Sequence, residues 1–295
     1  RCETIYFRDS YVDTGNWAAF NELKVPFGMT WPGKPAGRIS DGYVLTDIIA
    51  LYFKTSVPPL YSQWKESVSE DELQYGMNFA YAGSGALPDA WENITVALQM
   101  NAFKEVLGKK VFTGDDLKNS VAVLSLLGND HTSYAFRLNG TEEGMVDRAK
   151  KVAEEIIRFL KTVGNKGIRK VIINSQGVAF PKSGKVLPAL VSLNRWLEDK
   201  VKQIAKRKNM VIVTLDSMTL IKPILDQGKL SQDTCCVAQN SQSVCGDIDA
   251  TGKKMYTLCN DPKLTMYFSG GHISHAGWKM IYSRMVESEI LDPLV

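Results

Sequence analysis

The chain has 295 residues, of which 44% are hydrophobic and 23% charged, a composition typical of folded globular proteins and not of disordered, collagen-like or coiled-coil chains. The 35 Lys and Arg residues against 32 Asp and Glu leave a net charge of only +3, and no basic run is long enough to follow a phosphate backbone, so we expect no nucleic-acid partner. No apolar stretch approaches the roughly 20 residues of a membrane-spanning helix, so we expect no transmembrane segment.

Short segments rich in Val, Ile and Leu, each bounded by polar residues or glycine, predict strands that are buried on both faces. In chain order these segments are Thr4–Phe7 and residues 120–127, 170–174 and 210–215. Apolar residues recur at helical spacing over residues 145–160 and 190–204, on either side of the third strand. This alternation predicts an α/β fold, a three-layer α/β/α arrangement around a doubly wound, mainly parallel sheet whose ligands bind at the carboxyl ends of the strands.

The chain shows no linker, low-complexity tract or internal repeat that would divide it. We therefore predict a single domain over residues 1–295. Residues 228–263 are the main irregular segment, and we expect disulfides to keep this segment ordered without regular secondary structure.

Four of the five cysteines lie in that segment: Cys235, Cys236, Cys245 and Cys259. An adjacent cysteine pair followed by wide gaps fits the ligand spacing of zinc sites poorly, so we favour two disulfides over a metal. Because a bridge between the neighbours Cys235 and Cys236 is sterically awkward, two pairings remain open. The fifth cysteine, Cys2, is expected to lie outside the bridged set.

Asn93 and Asn139 each begin an N-glycosylation sequon. Together with the expected disulfides they favour an oxidising, secretory environment. We expect a secreted protein, with the vacuole as an alternative destination. The sequence starts at Arg1 without an apolar signal segment, so we expect any signal peptide to lie outside it.

The clearest chemical signal follows the first predicted strand, where Ser10 stands at the turn. If a helix starts there, the hydroxyl lies at the ligand-binding edge of the sheet, and the amides of the helix N-terminus stabilise a developing oxyanion. Ser10 is therefore a candidate nucleophile. The alternative is a serine that only caps the helix, a position where serine is favoured. No G-x-S-x-G motif occurs in the chain, which excludes the common α/β-hydrolase arrangement.

The residues around this serine, D-S at 9–10 and D-T-G-N at 13–16, resemble the first sequence block of the plant GDSL esterase/lipase family, part of the SGNH hydrolase superfamily. Further blocks follow in the order typical of the family: G-R-I-S-D-G at 37–42, G-N-D at 128–130 and H-I-S-H-A-G-W at 272–278. Four ordered blocks are much more specific than any one of them, and they span nearly the whole chain.

The resemblance implies an SGNH-type fold and a carboxylic ester hydrolase or acyltransferase. It assigns Ser10 as the nucleophile and His272 as the general base. It also implies an oxyanion hole formed by the backbone amides of Ser10 and Gly37 and by the side chain of Asn129. We expect a small-molecule acyl ester as substrate and no cofactor, and the sequence carries no signal for an oligomeric state.

Two positions depart from the family pattern. Arg8 stands where the family has glycine two residues before the serine, and Ser269 stands where it has aspartate three residues before the histidine. A neutral substitute for the carboxylate costs a serine protease about four orders of magnitude in turnover, although a hydroxyl, a main-chain carbonyl or water can also accept the His272 N–H. The Arg8 guanidinium is interpreted either as a group that attracts an anionic acyl substrate or clamps a carboxylate, or as one that fills the space a substrate needs.

These departures support an alternative function, a catalytically impaired GDSL-like protein that binds a small ligand or has acquired a different reaction. The remaining candidates are weaker. We expect His131 either to line the pocket or to face solvent, and we expect no metal at His275, which has no third ligand in sight. Phe27, Met29 and Trp31 are interpreted as an apolar acyl pocket or as ordinary core.

Overall fold

The computed structural model describes residues 3–126, 128–175 and 188–295, apart from the side chains of Leu190 and Met218. The strands are β1 (Thr4–Phe7), β2 (Gly76–Asn78), β3 (Val121–Leu126), β4 (Lys170–Ser175), β5 (Val211–Asp216), β6 (Ser231–Ala238), β7 (Tyr256–Leu258), β8 (Thr265–Ser269) and β9 (His272–Ile273). The α-helices are α1 (Leu45–Tyr52), α2 (Trp64–Ser67), α3 (Glu70–Leu73), α4 (Val96–Gly108), α5 (Gly114–Asn119), α6 (Asn129–Thr132), α7 (Glu142–Asn165), α8 (Pro188–Lys208), α9 (Ser217–Asp226) and α10 (His275–Glu287).

The main sheet contains β1 to β5, all paired in parallel in the spatial order β2-β1-β3-β4-β5. The predicted strands and the two predicted helices, now α7 and α8, are confirmed within a residue or two at the strand ends, although Leu127 lies outside the described residues. In this strand order the chain leaves β1 towards one side for β2 and towards the other for β3. The crevice at the carboxyl ends of β1 and β3 is therefore the expected ligand site of such a sheet.

The hydrophobic core lies on both faces of this sheet. Ile5 and Phe7 of β1 pack with α4 and α7 on one face, whereas Tyr6 packs with α1, α9 and α10 on the other. Alternate side chains of a strand point to opposite faces, so the fully buried β1 contacts both helix layers. The three-layer α/β/α fold expected from the sequence is confirmed.

The prediction that all four strands are buried on both faces is wrong for β5. Val211 in this strand is 43% exposed. The physical reason is position, because β5 lies at the edge of the sheet with β4 as its neighbour. The sequence also gave no sign of β2, which is only three residues long and ends on Asn78.

The expectation of an irregular segment at residues 228–263 is also wrong, because β6 and β7 lie there. With β8 and β9 they form a second sheet in the order β7-β6-β8-β9. Its sequence escaped prediction because β6, S-Q-D-T-C-C-V-A, is half polar and is buried at only two positions.

The disulfide prediction is confirmed. Cys235 is bonded to Cys259 and Cys236 to Cys245, so both bridges tie segments to β6. Cys2 lies outside the described residues. Among the helices that the structure describes, none has both the length and the apolar character to cross a membrane.

Candidate active site

Ser10 lies three residues beyond the end of β1, in a tight turn at the carboxyl edge of the main sheet. The amides of Val12 and Asp13 both donate to the carbonyl oxygen of Asp9, at 3.1 and 3.0 Å. No regular helix starts at Ser10, so the expectation of helix amides at this point and the alternative of a helix cap are both wrong. This turn, together with the fully buried strand β1 that precedes it, positions the serine.

His272 faces Ser10 from the second sheet. The Ser10 Oγ and the His272 Nε2 lie 2.8 Å apart, within hydrogen-bond distance. The other ring nitrogen, Nδ1, lies 3.0 Å from the carbonyl oxygen of Ser269. Because a carbonyl oxygen can only accept, the proton resides on Nδ1, which leaves the Nε2 lone pair directed at the serine hydroxyl. The His272 N–H is thus accepted by the main-chain carbonyl of Ser269, at the position where the family pattern has an aspartate carboxylate.

Burial lowers the pKa of His272 below its ordinary value of 6.5, although the Ser269 carbonyl and the charge of Asp9 act in the opposite direction. The imidazole is therefore neutral at pH 7, which is the form that a general base needs. Asp9 precedes the serine and is buried. Its charge favours the protonated form of the His272 ring.

Tyr11 is a site residue that no sequence motif selected. Its ring stacks on the His272 ring, with centroids 5.7 Å apart at 28°, and its hydroxyl donates to the carbonyl oxygen of Gly271. Burial, and secondly the charge of Asp9, raises the pKa of Tyr11, so the hydroxyl stays protonated and remains a donor. Through these two contacts Tyr11 holds the β8–β9 hairpin, here called the histidine hairpin, against the turn that carries Ser10, here called the serine turn.

Asn129 lies three residues beyond the end of β3, the strand that pairs with β1. Gly128 precedes it at a φ of 93°, a left-handed conformation that glycine adopts without strain. The Asn129 Nδ2 donates to the carbonyl oxygen of Ser84 at 2.9 Å. An amide nitrogen carries two N–H groups, so one is held by Ser84.

Gly37 lies against the loop that follows the serine. A Cβ at this position would come within 2.5 Å of the Thr14 oxygen and of the Gly15 Cα, and its φ is 78°. Only glycine fits such a close approach between two backbones. The structure thus brings the first two sequence blocks into contact.

The chain is similar in sequence to known proteins over most of its length. No family model matches the chain. A GDSL esterase/lipase of Arabidopsis thaliana is 34% identical over 307 residues, which cover 95% of this chain and 85% of the relative. The chain belongs to the GDSL esterase/lipase family. It is accordingly a carboxylic ester hydrolase.

Two further relatives agree with this assignment. A second Arabidopsis thaliana GDSL esterase/lipase is 31% identical over 96% of this chain and 85% of its own length. Acetylajmalan esterase of Rauvolfia serpentina is 30% identical over 56% of this chain and 46% of its own length. These relatives are plant proteins, as the motifs indicate. Among solved structures, an acetylxylan esterase of Geobacillus stearothermophilus aligns at 12% identity with a TM-score of 0.42, over 98% of this chain and 93% of that one.

The Arg8 guanidinium clamps a carboxylate, and the carboxylate belongs to Asp130 of the same chain. The Arg8 side chain is 1% exposed and forms an ion pair with Asp130, so it neither reaches out to an anionic substrate nor fills the mouth of the site. Its φ of 91° explains why glycine is usual at this position in GDSL proteins, since side chains rarely adopt this conformation. Arg8 is a buried residue of the nucleophile turn.

The weaker candidates have ordinary contacts. His131 is partly buried beside Asp130, and burial lowers its pKa. The His275 Nδ1 accepts the Tyr43 amide at 3.2 Å. Phe27 is core, packed edge-on against Phe268. Met29 and Trp31 are 40% and 37% exposed, so the interpretation as ordinary core is wrong for them.

Proposed function

We propose that this GDSL protein hydrolyses small carboxylic esters, or transfers their acyl group to an alcohol, through a Ser10–His272 dyad. The observation that carries the proposal is the pair of contacts on the His272 ring. Its Nε2 lies 2.8 Å from the Ser10 hydroxyl, and its Nδ1 is held by the Ser269 carbonyl. A nucleophile, a base and an acceptor that orients the base are the three elements of nucleophilic acyl transfer.

In the proposed reaction, the His272 Nε2 accepts the Ser10 proton while Oγ attacks the acyl carbonyl carbon. The carbonyl oxygen becomes an oxyanion, which the amides of Ser10 and Gly37 and the Asn129 side chain stabilise. Collapse of this intermediate breaks the bond to the alcohol, and the imidazolium returns its proton to the leaving alkoxide. Water or a second alcohol then attacks the acyl-enzyme, with His272 as base again, and restores the free serine.

The absence of a triad aspartate is compatible with this mechanism. In the serine-protease template, replacing the aspartate by asparagine is damaging because it favours the wrong imidazole tautomer. The Ser269 carbonyl has no proton to donate, so it selects the productive tautomer. What the carbonyl does not supply is a full negative charge, and Asp9 contributes charge of that sign to the His272 environment.

A fluorophosphonate probe tests the proposal, because it reacts with activated serines. We expect the wild-type protein to be labelled, and Ser10→Ala to lose both the label and the hydrolysis of a short-chain aryl ester. Ser120→Ala is the matched control, since Ser120 is a fully buried serine at the opposite end of β3. Wild-type protein that takes no label and hydrolyses no ester in a broad panel would contradict the proposal and support the ligand-binding alternative.

We further propose that the protein is secreted and glycosylated. Asn93 and Asn139 are both exposed, as oligosaccharide attachment requires, and two disulfides suit an oxidising compartment. Expression in plant cells should give a protein whose mass falls on glycosidase treatment. Asn93→Gln and Asn139→Gln should each remove one step of that shift, and a wild-type mass without attached sugar would contradict this proposal.

A further inference from the structure

Arg8 holds a backbone conformation that its residue type disfavours. Its φ is 91°, and strain of this kind persists where the surroundings over-determine the conformation. Here Gln99 contacts both main-chain groups of the residue. The Arg8 amide donates to the Gln99 Oε1 at 2.5 Å, and the Gln99 Nε2 donates to the Arg8 carbonyl at 3.3 Å. The turn that carries Ser10 is therefore fixed from α4.

The Arg8 side chain extends from this turn to the third sequence block. Its Nη2 donates to the Asp130 Oδ2, and both side chains are 1% exposed. The same carboxylate accepts the amides of Ala86 and Leu87, at 3.0 and 2.9 Å. The Asp130 carboxylate thus binds both the serine turn, through Arg8, and the segment before α4, through Ala86 and Leu87.

These contacts form a hydrogen-bond network around Asn129, the candidate donor to the oxyanion. Gln99 donates to the Ser84 hydroxyl as well as to the Arg8 carbonyl. Asn129 donates to the Ser84 carbonyl and is followed directly by Asp130, which pairs with Arg8. A displacement of Arg8 therefore moves Asn129 by two routes, through Asp130 and through Gln99 and Ser84.

The charge of Asp130 gives the pair a second effect. Burial raises the pKa of this carboxyl group, but the Arg8 charge and the two amide donors outweigh burial and lower it, so Asp130 is ionised at neutral pH. A buried anion next to Asn129 opposes the negative charge that develops on the substrate oxygen. Arg8 cancels that anion.

Stability alone explains the pair poorly. The Nε and Nη1 groups of Arg8 have no hydrogen-bond partner among the described residues, and a buried donor without a partner is costly. Buried ion pairs are often no more stabilising than apolar residues of the same shape. The position next to the nucleophile and to Asn129 points to the reaction instead.

We propose that Arg8 is a positioning residue for oxyanion stabilisation, which fixes Asn129 through Asp130 and neutralises the Asp130 carboxylate. This inference rests on the proposed function of Ser10 and Asn129. It predicts a loss in the chemical step and not in substrate binding, because neither Arg8 nor Asp130 reaches the surface.

Arg8→Met tests the proposal by removing the charge while keeping an unbranched side chain. We expect kcat for a short-chain aryl ester to fall at least tenfold, with KM within about threefold of the wild-type value. Adding Asp130→Asn should raise kcat at least threefold above that of Arg8→Met alone, because the second change removes the uncompensated anion. Should Arg8→Met fail to fold, Arg8→Gly carries the same test, since glycine suits a φ of 91°.

Ile224→Ala is the control for a merely structural role. Ile224 is buried in α9, on the opposite face of the sheet from α4, and its truncation should lower the melting temperature without changing kcat of the folded protein. The proposal is overturned if Arg8→Met or Arg8→Gly leaves kcat within twofold of wild type, if the loss follows only the folded fraction, or if Asp130→Asn gives no rescue.

Ser10→Ala separates this inference from the function on which it rests. Hydrolysis that survives Ser10→Ala would contradict the proposed function, and the role of Arg8 would fall with it. If Ser10→Ala is inactive while Arg8→Met keeps the wild-type kcat, the dyad stands and only the role of Arg8 is refuted.

Discussion

The two halves of the proposed dyad are held in the molecule by different means. Ser10 follows β1, a central strand whose residues are all buried between two layers of helices. His272 begins β9, a two-residue strand at the edge of the small second sheet. That sheet is tied by two disulfides, and its buried apolar side chains, among them Met266, Phe268 and Ile273, are fewer than those of the main sheet.

The difference indicates that the nucleophile and the base respond to different perturbations. Hydrophobic burial fixes the serine turn, so it moves only when the main sheet loosens. Local contacts fix the histidine hairpin: the Ser269 carbonyl, the Tyr11 ring and the bridged β6. Parts of a protein with few buried apolar contacts open at lower free energy than its core, so we expect the base to be lost first.

Removal of the base is the largest effect expected from either half. His272→Ala should lower kcat by about 10⁴-fold or more, as loss of the catalytic histidine does in a serine protease. Steady-state hydrolysis of an aryl ester measures it. His275→Ala is the control on the same segment and should keep most of the activity. A His272→Ala variant that retains a tenth of the wild-type kcat would show that the hairpin does not supply the base.

Loss of a disulfide tests whether the second sheet alone holds the base. Cys235→Ser with Cys259→Ser opens a bridge that spans 24 residues, and the chain-entropy model gives about 3 kcal/mol for loops of this size. Activity should disappear at a lower temperature than the far-ultraviolet circular dichroism of the main sheet. Cys236→Ser with Cys245→Ser, which opens a span of 9 residues, should have the smaller effect. Simultaneous loss of activity and circular dichroism would contradict the comparison.

Restoring a carboxylate should strengthen the histidine half. Ser269→Asp offers His272 a charged acceptor, so we expect kcat to rise about tenfold, roughly 1.4 kcal/mol of barrier. Ser269→Asn has a similar shape without the charge and should give no such gain. An equal response to both substitutions would mean that the charge of the acceptor does not limit the reaction.

The pH dependence is the smallest effect and reports the environment of the base. His272 must be neutral to accept the Ser10 proton, so activity falls as pH drops through its pKa. Since burial lowers that pKa, the acid limb of kcat/KM should have its midpoint below about 6.5, the usual histidine value. Ser269→Asp should move the midpoint upward, because a nearby anion stabilises the imidazolium. A wild-type midpoint above 7 would contradict the buried, neutral histidine.

Much of the main sheet was readable from sequence because its strands are continuous apolar runs. β1, β3 and β4 pack on both faces, and each contains a run of three or four consecutive apolar residues. β2 and β6 were not predicted, since one is three residues long and the other is half polar. For such strands, the partner strand and the disulfides decide the conformation, and neither leaves a periodic pattern in the sequence.

Within the site, the motifs selected Ser10, Asn129 and His272 as candidates, and the fold places Ser10 beside His272. They gave no indication of Tyr11, whose ring stacks on His272 from 261 positions away. They also left the acceptor of the His272 N–H open. The answer, the Ser269 carbonyl, is a backbone atom that every residue type carries, so no substitution pattern could have revealed it.

The sequence by itself therefore determined the fold class, the family and which four cysteines are bridged. Apolar runs, cysteine spacing and ordered motifs can all be read directly from the chain. Only the tertiary structure decided what Arg8 does. Its charge could be read as facing substrate or blocking it, and the outcome depended on Asp130, which lies 122 residues away in sequence. The role of a buried charge depends on the group that neutralises it. Here the pairing of β1 with β3 brings that group, Asp130, next to Arg8.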